Sequence, residues 1–284
     1  MTRSLRIGAI QPRSHTLAEE QRNLEDALRW LDRAAEAGAQ LVVFPEGYPG
    51  PTNPINEYDS VGALAERAAK HGQYVVAGAI EPLPADREPA VHNVVLRLIG
   101  PAGQILAAYR RTTPHGPYIY RDIDAWQFDY RAADDPPRVV ETPLGRIGML
   151  VCSEVYVPEL SRLLMLEGAD LIVYPAGGAI NELMDGWRTL LRARAIENLV
   201  YTVATQNLYA EGEVGVGTVA GPEGVLASDE GEGMLVADLD LDRLDYLRGE
   251  DERIVMPKPY RTIPGVLRWR RPELYDELTR QEEP

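Results

Sequence analysis

Two stretches of this chain repeat one short pattern in the same order. Residues 6–8 and 146–148 both read Arg-Ile-Gly at the start of an apolar run. Further along, residues 37–47 resemble residues 167–177, and each stretch joins a small-residue turn to an apolar run that ends at a proline. Each copy predicts a strand, a helix, a second strand and a proline-containing turn. Two such matches in one order indicate two related α/β halves packed together.

The overall composition limits the class of protein. The 284 residues can form one large α/β domain or two smaller ones. Acidic residues outnumber basic ones by 44 to 29, a net charge of −15 that argues against nucleic acid or an anionic membrane as a partner. A single cysteine leaves no internal disulfide and favours a reducing, cytoplasmic location. We expect no signal peptide, no membrane span and no metal site.

The single cysteine, Cys152, follows an apolar run and precedes a helix start at Pro158. An apolar run bounded by glycine predicts a buried parallel strand, and open α/β folds place their chemistry just past the carboxyl ends of such strands. Cys152 is therefore a candidate nucleophile. The alternative is a small buried hydrophobic residue, which is the commoner role of a lone cysteine.

A cysteine nucleophile needs a base that accepts its proton. Among the histidines only His115, in an irregular stretch, stays an outside candidate. A buried carboxylate can serve instead, and Glu46 occupies the turn after a predicted strand, as Cys152 does. Its counterpart in the repeat is Ala176, so the turn does not need a carboxylate for its shape. The alternative is that Glu46 is a solvated turn residue.

Three separated motifs carry a resemblance to a known family. They are Phe-Pro-Glu at 44–46, Tyr-Arg-Arg at 109–111, and Val-Cys-Ser-Glu at 151–154 with Pro-Glu at 158–159. With Arg-Ala-Ile-Glu-Asn at 194–198, they resemble the nitrilase superfamily of carbon–nitrogen hydrolases, over a region from the first strand to about Asp240. The resemblance implies a four-layer α-β-β-α sandwich, built here from two pseudo-twofold related halves, that forms homodimers or larger homo-oligomers. It also implies that Glu46 is the general base and Cys152 the acylated nucleophile.

The chain departs from the family pattern at two positions. The superfamily's motif is Tyr-Arg-Lys, whose lysine stabilises the tetrahedral intermediate, and here Arg111 takes that place. Arginine keeps the positive charge but is longer, planar and always protonated. Many relatives carry an accessory glutamate that we match to Asp124, which is one methylene shorter. The two changes could compensate each other, or they could mark an altered substrate or a lost activity.

We therefore expect a cofactor-independent hydrolase that cleaves a small amide, carbamoyl compound or nitrile through a thioester on Cys152, with an amide favoured. Arg111 and the backbone N–H of Ser153 would hold the oxyanion. The alternative function is a catalytically silent binding or scaffold protein. Residues 1–245 would form the hydrolase domain, and residues 246–284 an arm that packs on this domain or on a partner subunit.

Local patterns predict several individual elements. Thr16 and Glu19 predict a capping box at the start of the first helix. Apolar runs at 74–80, 91–99 and 104–109 predict three strands, and a helical pattern is expected over 183–198. Residues 110–137 have no clear period, which is typical of a functional loop or of disorder.

Overall fold

The computed structural model describes residues 3–52, 56–82, 91–113, 127–128, 137–178, 183–249 and 270–279. The strands in these ranges are β1 (Ser4–Gln11), β2 (Leu41–Val43), β3 (Tyr74–Pro82), β4 (Val91–Ile99), β5 (Ile105–Arg110), β6 (Gln127–Phe128), β7 (Val139–Thr142), β8 (Gly145–Met149), β9 (Leu171–Ala176), β10 (Tyr201–Gln206), β11 (Thr218–Gly221), β12 (Gly224–Ser228) and β13 (Gly233–Asp240). The helices are α1 (Arg22–Glu36), α2 (Ser60–His71), α3 (Pro158–Leu166), α4 (Met184–Asn198), α5 (Leu241–Arg248) and α6 (Asp276–Thr279).

The strands form two sheets with matching strand orders. The first runs β13-β1-β2-β3-β4-β5, with β6 paired to β4, and the second runs β12-β11-β10-β9-β8-β7. In each sheet three neighbouring strands are parallel, namely β1-β2-β3 and β8-β9-β10. Parallel neighbours need a crossover connection, which α1 and α2 supply in the first half and α3 and α4 in the second.

The predicted repeat is confirmed at the level of strand register. Ile7 pairs with Leu41 between β1 and β2, and Ile147 pairs with Leu171 between β8 and β9. The N–H of the residue before each second strand also binds the carbonyl of the repeated arginine, at 2.8 Å in both halves. The two halves therefore share one α/β plan.

The two sheets pack face to face over one hydrophobic core. Their inner faces contribute fully buried aliphatic side chains, including Ile7, Val76 and Leu96 from the first sheet and Ile147, Val173 and Val203 from the second. Helices α1 and α2 cover the outer face of the first sheet through a second buried cluster, and α3 and α4 pack on the second sheet. Each fully buried Val, Leu or Ile contributes roughly 1.5–3 kcal/mol. The four-layer α-β-β-α sandwich is confirmed.

The start of the first helix differs from the prediction. Thr16 precedes a short 3-10 turn, Leu17–Glu19, and its side chain makes no capping hydrogen bond. Helix α1 begins later, at Arg22. The side chain of Asn23 accepts from the backbone N–H of His15 at 2.7 Å and donates to its carbonyl at 2.9 Å, which fixes the segment before the helix. The capping-box prediction is wrong because Asn23 anchors this segment instead.

Helix α5 follows β13 of the first sheet and contacts residues of the second half. The guanidinium of Arg248, its last residue, donates to Asp170 Oδ1 at 2.7 Å and to the carbonyl of Leu199 at 2.8 Å. Residues 250–269 lie outside the described part of the chain. The division into a domain over 1–245 and an arm over 246–284 stays a prediction.

Candidate active site

Two turns from opposite sheets meet at the carboxyl ends of their strands. Glu46 lies just past β2 in the first sheet, and Gly177 follows β9 directly in the second. The backbone N–H of Gly177 donates to Glu46 Oε2 at 2.8 Å. The contact joins equivalent turns of the two halves, because the repeat pairs residues 37–47 with residues 167–177. The turns approach so closely that a Cβ at Gly177 would stand 2.8 Å from that same oxygen.

The carboxylate of Glu46 is buried and held from several sides. Its Oε1 accepts from Arg111 Nη1 at 2.9 Å, and both side chains are fully buried. Its backbone carbonyl accepts from Asn207 Nδ2 at 2.8 Å. A buried ion pair depends on both partners, since removal of one leaves an uncompensated charge away from water. Glu46 is therefore an oriented, charge-paired carboxylate, and the solvated-turn alternative is wrong.

Arg111 follows the last residue of β5, and its side chain reaches Glu46 and the residue after Cys152. Its backbone N–H donates to the carbonyl of Val94 at 3.0 Å, which fixes its main chain to β4. Nε donates to the carbonyl of Thr113 at 2.7 Å, and Nη2 donates to Ser153 Oγ. The guanidinium thus bridges Glu46 to the residue that follows Cys152. Only a planar, multiply donating cation can make these contacts together.

Cys152 begins a 3-10 turn, Cys152–Tyr156, shortly after β8 ends. It is only 2% exposed and adopts a left-handed backbone conformation with φ of 50°. The Glu46 carboxylate, the Gly177 backbone and the Arg111 guanidinium all influence the ionisation of its thiol. Burial raises the pKa of the thiol to about 12, the negative charge of Glu46 adds to the rise, and Arg111 opposes it. The thiol is therefore protonated at neutral pH, beside a carboxylate that can accept its proton.

A second buried carboxylate, Glu154, lies behind this group. Its oxygens accept from the backbone N–H of Val151 at 2.8 Å and from the hydroxyl of Tyr109 at 2.9 Å. They also accept from the backbone N–H groups of Thr112 and Thr113, at 2.9 and 3.2 Å. No sequence pattern assigned a role to Glu154, Gly177 or Asn207. The Val-Cys-Ser-Glu motif contains Glu154, but only the fold brings its partners together.

The structure thus brings together Glu46, Arg111, Cys152 and Ser153. Asp124 and His115 lie outside the described residues. His71 binds Asp32 on the surface at 2.6 Å and takes no part in this group.

Within the described ranges, no cluster of His, Cys, Asp and Glu could hold a metal ion. No helix there combines the length and the apolar character that a membrane crossing requires.

Sequence comparisons identify relatives along most of the chain. A family profile described as carbon–nitrogen hydrolase matches residues 6–248. A deaminated glutathione amidase from Synechocystis sp. is 30% identical over 242 residues, which cover 80% of this chain and 89% of the relative. An omega-amidase from Bos taurus is 27% identical over 260 residues, covering 86% and 92%.

Solved structures share the fold. A carbon–nitrogen hydrolase from Helicobacter pylori superposes with a TM-score of 0.79 at 20% identity, covering 99% of this chain and all of that one. An amidase from Nesterenkonia sp. superposes with a TM-score of 0.69 at 26% identity, covering 89% and 94%. In that amidase structure the acetamide moiety of fluoroacetamide is added covalently at the active-site cysteine.

The sandwich of two related halves, the buried acid–cation–thiol group and the family match define the class. The chain belongs to the carbon–nitrogen hydrolase family. Within it, the relatives described above include amidases, and the Nesterenkonia enzyme is assigned to the nitrilase superfamily. The resemblance drawn from the three motifs is confirmed, and the enzyme class is a hydrolase of the amidase or nitrilase type.

Proposed function

We propose that this protein hydrolyses a small amide through a thioester on Cys152. The observation that carries the proposal is the buried group in which Arg111 bridges the Glu46 carboxylate to Ser153, the residue next to the Cys152 thiol. A nucleophile, a base and a cation within one buried group are the parts that acyl transfer requires. No cofactor enters the scheme.

Acylation begins with attack of Cys152 Sγ on the amide carbon while the thiol proton passes to Glu46. Transfer during the attack avoids a free thiolate, which the burial of this thiol disfavours. The C–S bond forms, the carbonyl π electrons move to oxygen, and a tetrahedral intermediate results. When it collapses, the C–N bond breaks and Glu46 returns the proton to the leaving nitrogen, which departs as ammonia or an amine.

In deacylation the same carboxylate acts as the base for a water molecule. Glu46 removes a proton from a water molecule that attacks the thioester carbon. The second tetrahedral intermediate then expels the sulfur, which takes the proton back from Glu46. The products are a carboxylic acid and the starting thiol, so the protein ends the cycle unchanged.

Arg111 and the backbone N–H of Ser153 are proposed to hold the oxyanion. The guanidinium contacts the residue adjacent to the nucleophile and carries the positive charge that a developing alkoxide needs. Arg111 has a second task in the resting state, since it compensates the charge of Glu46. Asp124, in the place of the family's accessory acid, remains a proposed fifth member of the site.

An amide is favoured because the relatives carry that activity in their names and a variant of the Nesterenkonia amidase binds butyramide. The test is ammonia release from a panel of butyramide, a dicarboxylic acid monoamide, an N-carbamoyl amino acid and butyronitrile, with Cys152→Ala as the control. We expect release from an amide by the native protein only. Failure of the whole panel, with no acyl adduct on Cys152 by intact mass, would favour the catalytically silent alternative.

We also propose that the protein works as a homo-oligomer in the cytoplasm. Leu163 and Leu166 on α3 and the nearby Tyr156 are each close to half exposed, at 49%, 46% and 46%. A row of exposed large apolar side chains on one helix is typical of a surface that packs against another copy. A free buried cysteine suits a reducing compartment.

A further inference from the structure

Glu154 is a buried charged residue that the proposed reaction does not use. Its side chain has no exposure. It accepts from the backbone N–H groups of Val151, Thr112 and Thr113 and from the hydroxyls of Tyr109, Thr112 and Thr113. A carboxyl group that only accepts hydrogen bonds shows the bonding pattern of its ionised form. Burying an ionised carboxylate costs free energy unless hydrogen bonds compensate for the lost water.

These donors belong to two separate pieces of chain. Val151 immediately precedes Cys152 at the end of the second sheet's strand β8, while Tyr109, Thr112 and Thr113 surround Arg111 at the end of β5 in the first sheet. Oε2 takes the Val151 N–H, and Oε1 takes both threonine N–H groups. One carboxylate thus ties the segment that carries the nucleophile to the segment that carries the cation.

The turn at Cys152 needs such a support. Its left-handed conformation, with φ of 50°, is one that a non-glycine residue adopts only when neighbouring contacts hold it. The bond from the Val151 N–H to Glu154 lies directly before this residue and spans the start of the 3-10 turn. On the other side, the backbone of Arg111 is already fixed to β4. Glu154 therefore completes a rigid frame around both groups.

We infer that Glu154 is a positioning residue that sets the separation of Cys152 and Arg111, an inference that rests on the proposed function. Without it, the two segments would lose these hydrogen bonds, while contacts of the reacting groups, such as that between Arg111 and Ser153, would remain. A misplacement of about 1 Å in a reacting group can lower a rate by about 10²-fold. Because the change acts on the placement of the reacting groups, we expect the loss in kcat and not in KM.

Glutamine cannot take over this role although it has the same shape. Either orientation of its amide places an NH2 group against a backbone N–H, of Val151 in one case and of Thr112 and Thr113 in the other. A matched control is Asp170→Asn. Asp170 is also buried and accepts from the backbone N–H of Arg146 at 2.9 Å and from Arg248 at 2.7 Å. It precedes β9, roughly 20 Å of strand away from the site.

The experiment compares native protein, Glu154→Gln and Asp170→Asn in the hydrolysis of butyramide, at a temperature at which all three are folded by circular dichroism. We expect kcat of Glu154→Gln to fall by about 10²-fold with KM changed less than about threefold, while Asp170→Asn keeps its kcat even if its Tm falls as far. An unchanged kcat in Glu154→Gln, or an equal loss in both variants, would overturn the inference. Activity in Cys152→Ala would instead overturn the proposed function.

Two further measurements test the inference if Glu154→Gln does not fold or if butyramide is not a substrate. If Glu154→Gln does not fold, Tyr109→Phe removes a single donor from Glu154, and an unchanged kcat in that variant overturns the inference. If butyramide is not hydrolysed, the reaction of Cys152 with 5,5′-dithiobis(2-nitrobenzoate) reads the turn directly, because Cys152 is the only cysteine. We expect this reaction to be at least fivefold faster in Tyr109→Phe or Glu154→Gln than in the native protein, and equal rates overturn the inference.

Discussion

At the scale of single residues, Cys152 combines a high pKa with a reactive position. The thiol is protonated at rest, so its reactivity depends on proton transfer at the moment of attack. We expect Cys152→Ala to abolish amide turnover while the free energy of unfolding changes by about 1 kcal/mol. Ammonia release and a thermal melt measure the two effects. Cys152→Ser should also be nearly inactive, because a hydroxyl is harder to ionise than a thiol. Substantial turnover by a folded alanine variant would refute the mechanism.

Arg111 is proposed to act in the reaction as well as in the buried ion pair, and its replacement should affect both. Arg111→Ala is expected to lower kcat by about 10²–10³, the range for one lost oxyanion donor. It should also destabilise the protein by about 3–5 kcal/mol, since the charge of Glu46 is left buried and unpaired. Steady-state kinetics and chemical denaturation separate these effects.

Arg111→Lys separates the effect of the positive charge from that of the planar guanidinium. Lysine keeps the charge that Glu46 needs but loses the planar arrangement that also reaches Thr113 and Ser153. We expect most of the stability and part of kcat to return. If Arg111→Ala instead raised KM at constant kcat, Arg111 would bind substrate and would not act on the oxyanion.

The pKa of the Cys152 thiol predicts a pH effect with a definite sign. The folded thiol ionises near 12, and the unfolded one near its ordinary value of about 8.5. Between these values the folded state holds a proton that the unfolded state has lost, so this contribution to stability is complete below the unfolded pKa and is lost as pH rises toward 12.

Glu46→Gln should shift that titration. Removal of the negative charge lowers the thiol pKa, while burial, the largest cause, keeps it above the ordinary value. Thiolate ultraviolet absorbance as a function of pH measures the shift, and Cys152→Ala supplies the baseline. A thiol pKa that stays the same in Glu46→Gln would show that the two side chains do not interact.

At the scale of elements, the close approach of the turns after β2 and β9 is the most exacting feature of the site. Gly177→Ala would place a Cβ 2.8 Å from Glu46 Oε2. We expect kcat to fall by about 10- to 100-fold as the carboxylate is displaced. The matched control is Gly186→Ala in α4, where the new Cβ meets nothing within 4 Å. That variant should keep kcat and gain about 0.5–1 kcal/mol of stability, because alanine favours a helix.

The sequence predicted those elements whose patterns are local. Strand β4 has the predicted limits, and α4 begins one residue after the predicted start, because apolar runs and breakers in the sequence mark both. Glu46 and Cys152 could be chosen because each lies at the end of such a run, whereas Arg111 follows from the resemblance of its motif to the family's. The N–H of Gly177 could not, since a backbone donor has no signature in residue type. Glu154 could not either, because its partner Tyr109 lies 45 residues away.

At the scale of the whole molecule, the exposed leucines of α3 predict self-association. Light scattering should give the native chain at least twice the mass of one subunit. Leu163→Glu should lower that mass, because it places a charge in the apolar row. Leu17→Glu is the control, since Leu17 is 64% exposed in the turn before α1, on the other side of the sandwich. Equal masses for both variants would exclude α3 as the interface.

The division of the proposed reacting groups between two related halves has a consequence for synthesis and folding. The first half contains Glu46 and Arg111, and the second contains Cys152. In the proposed mechanism, a growing chain released only as far as β6 holds no nucleophile, and the second half alone lacks the proposed base. The proposed reaction therefore requires the two halves to dock on each other. During refolding, we expect turnover to return only after this docking.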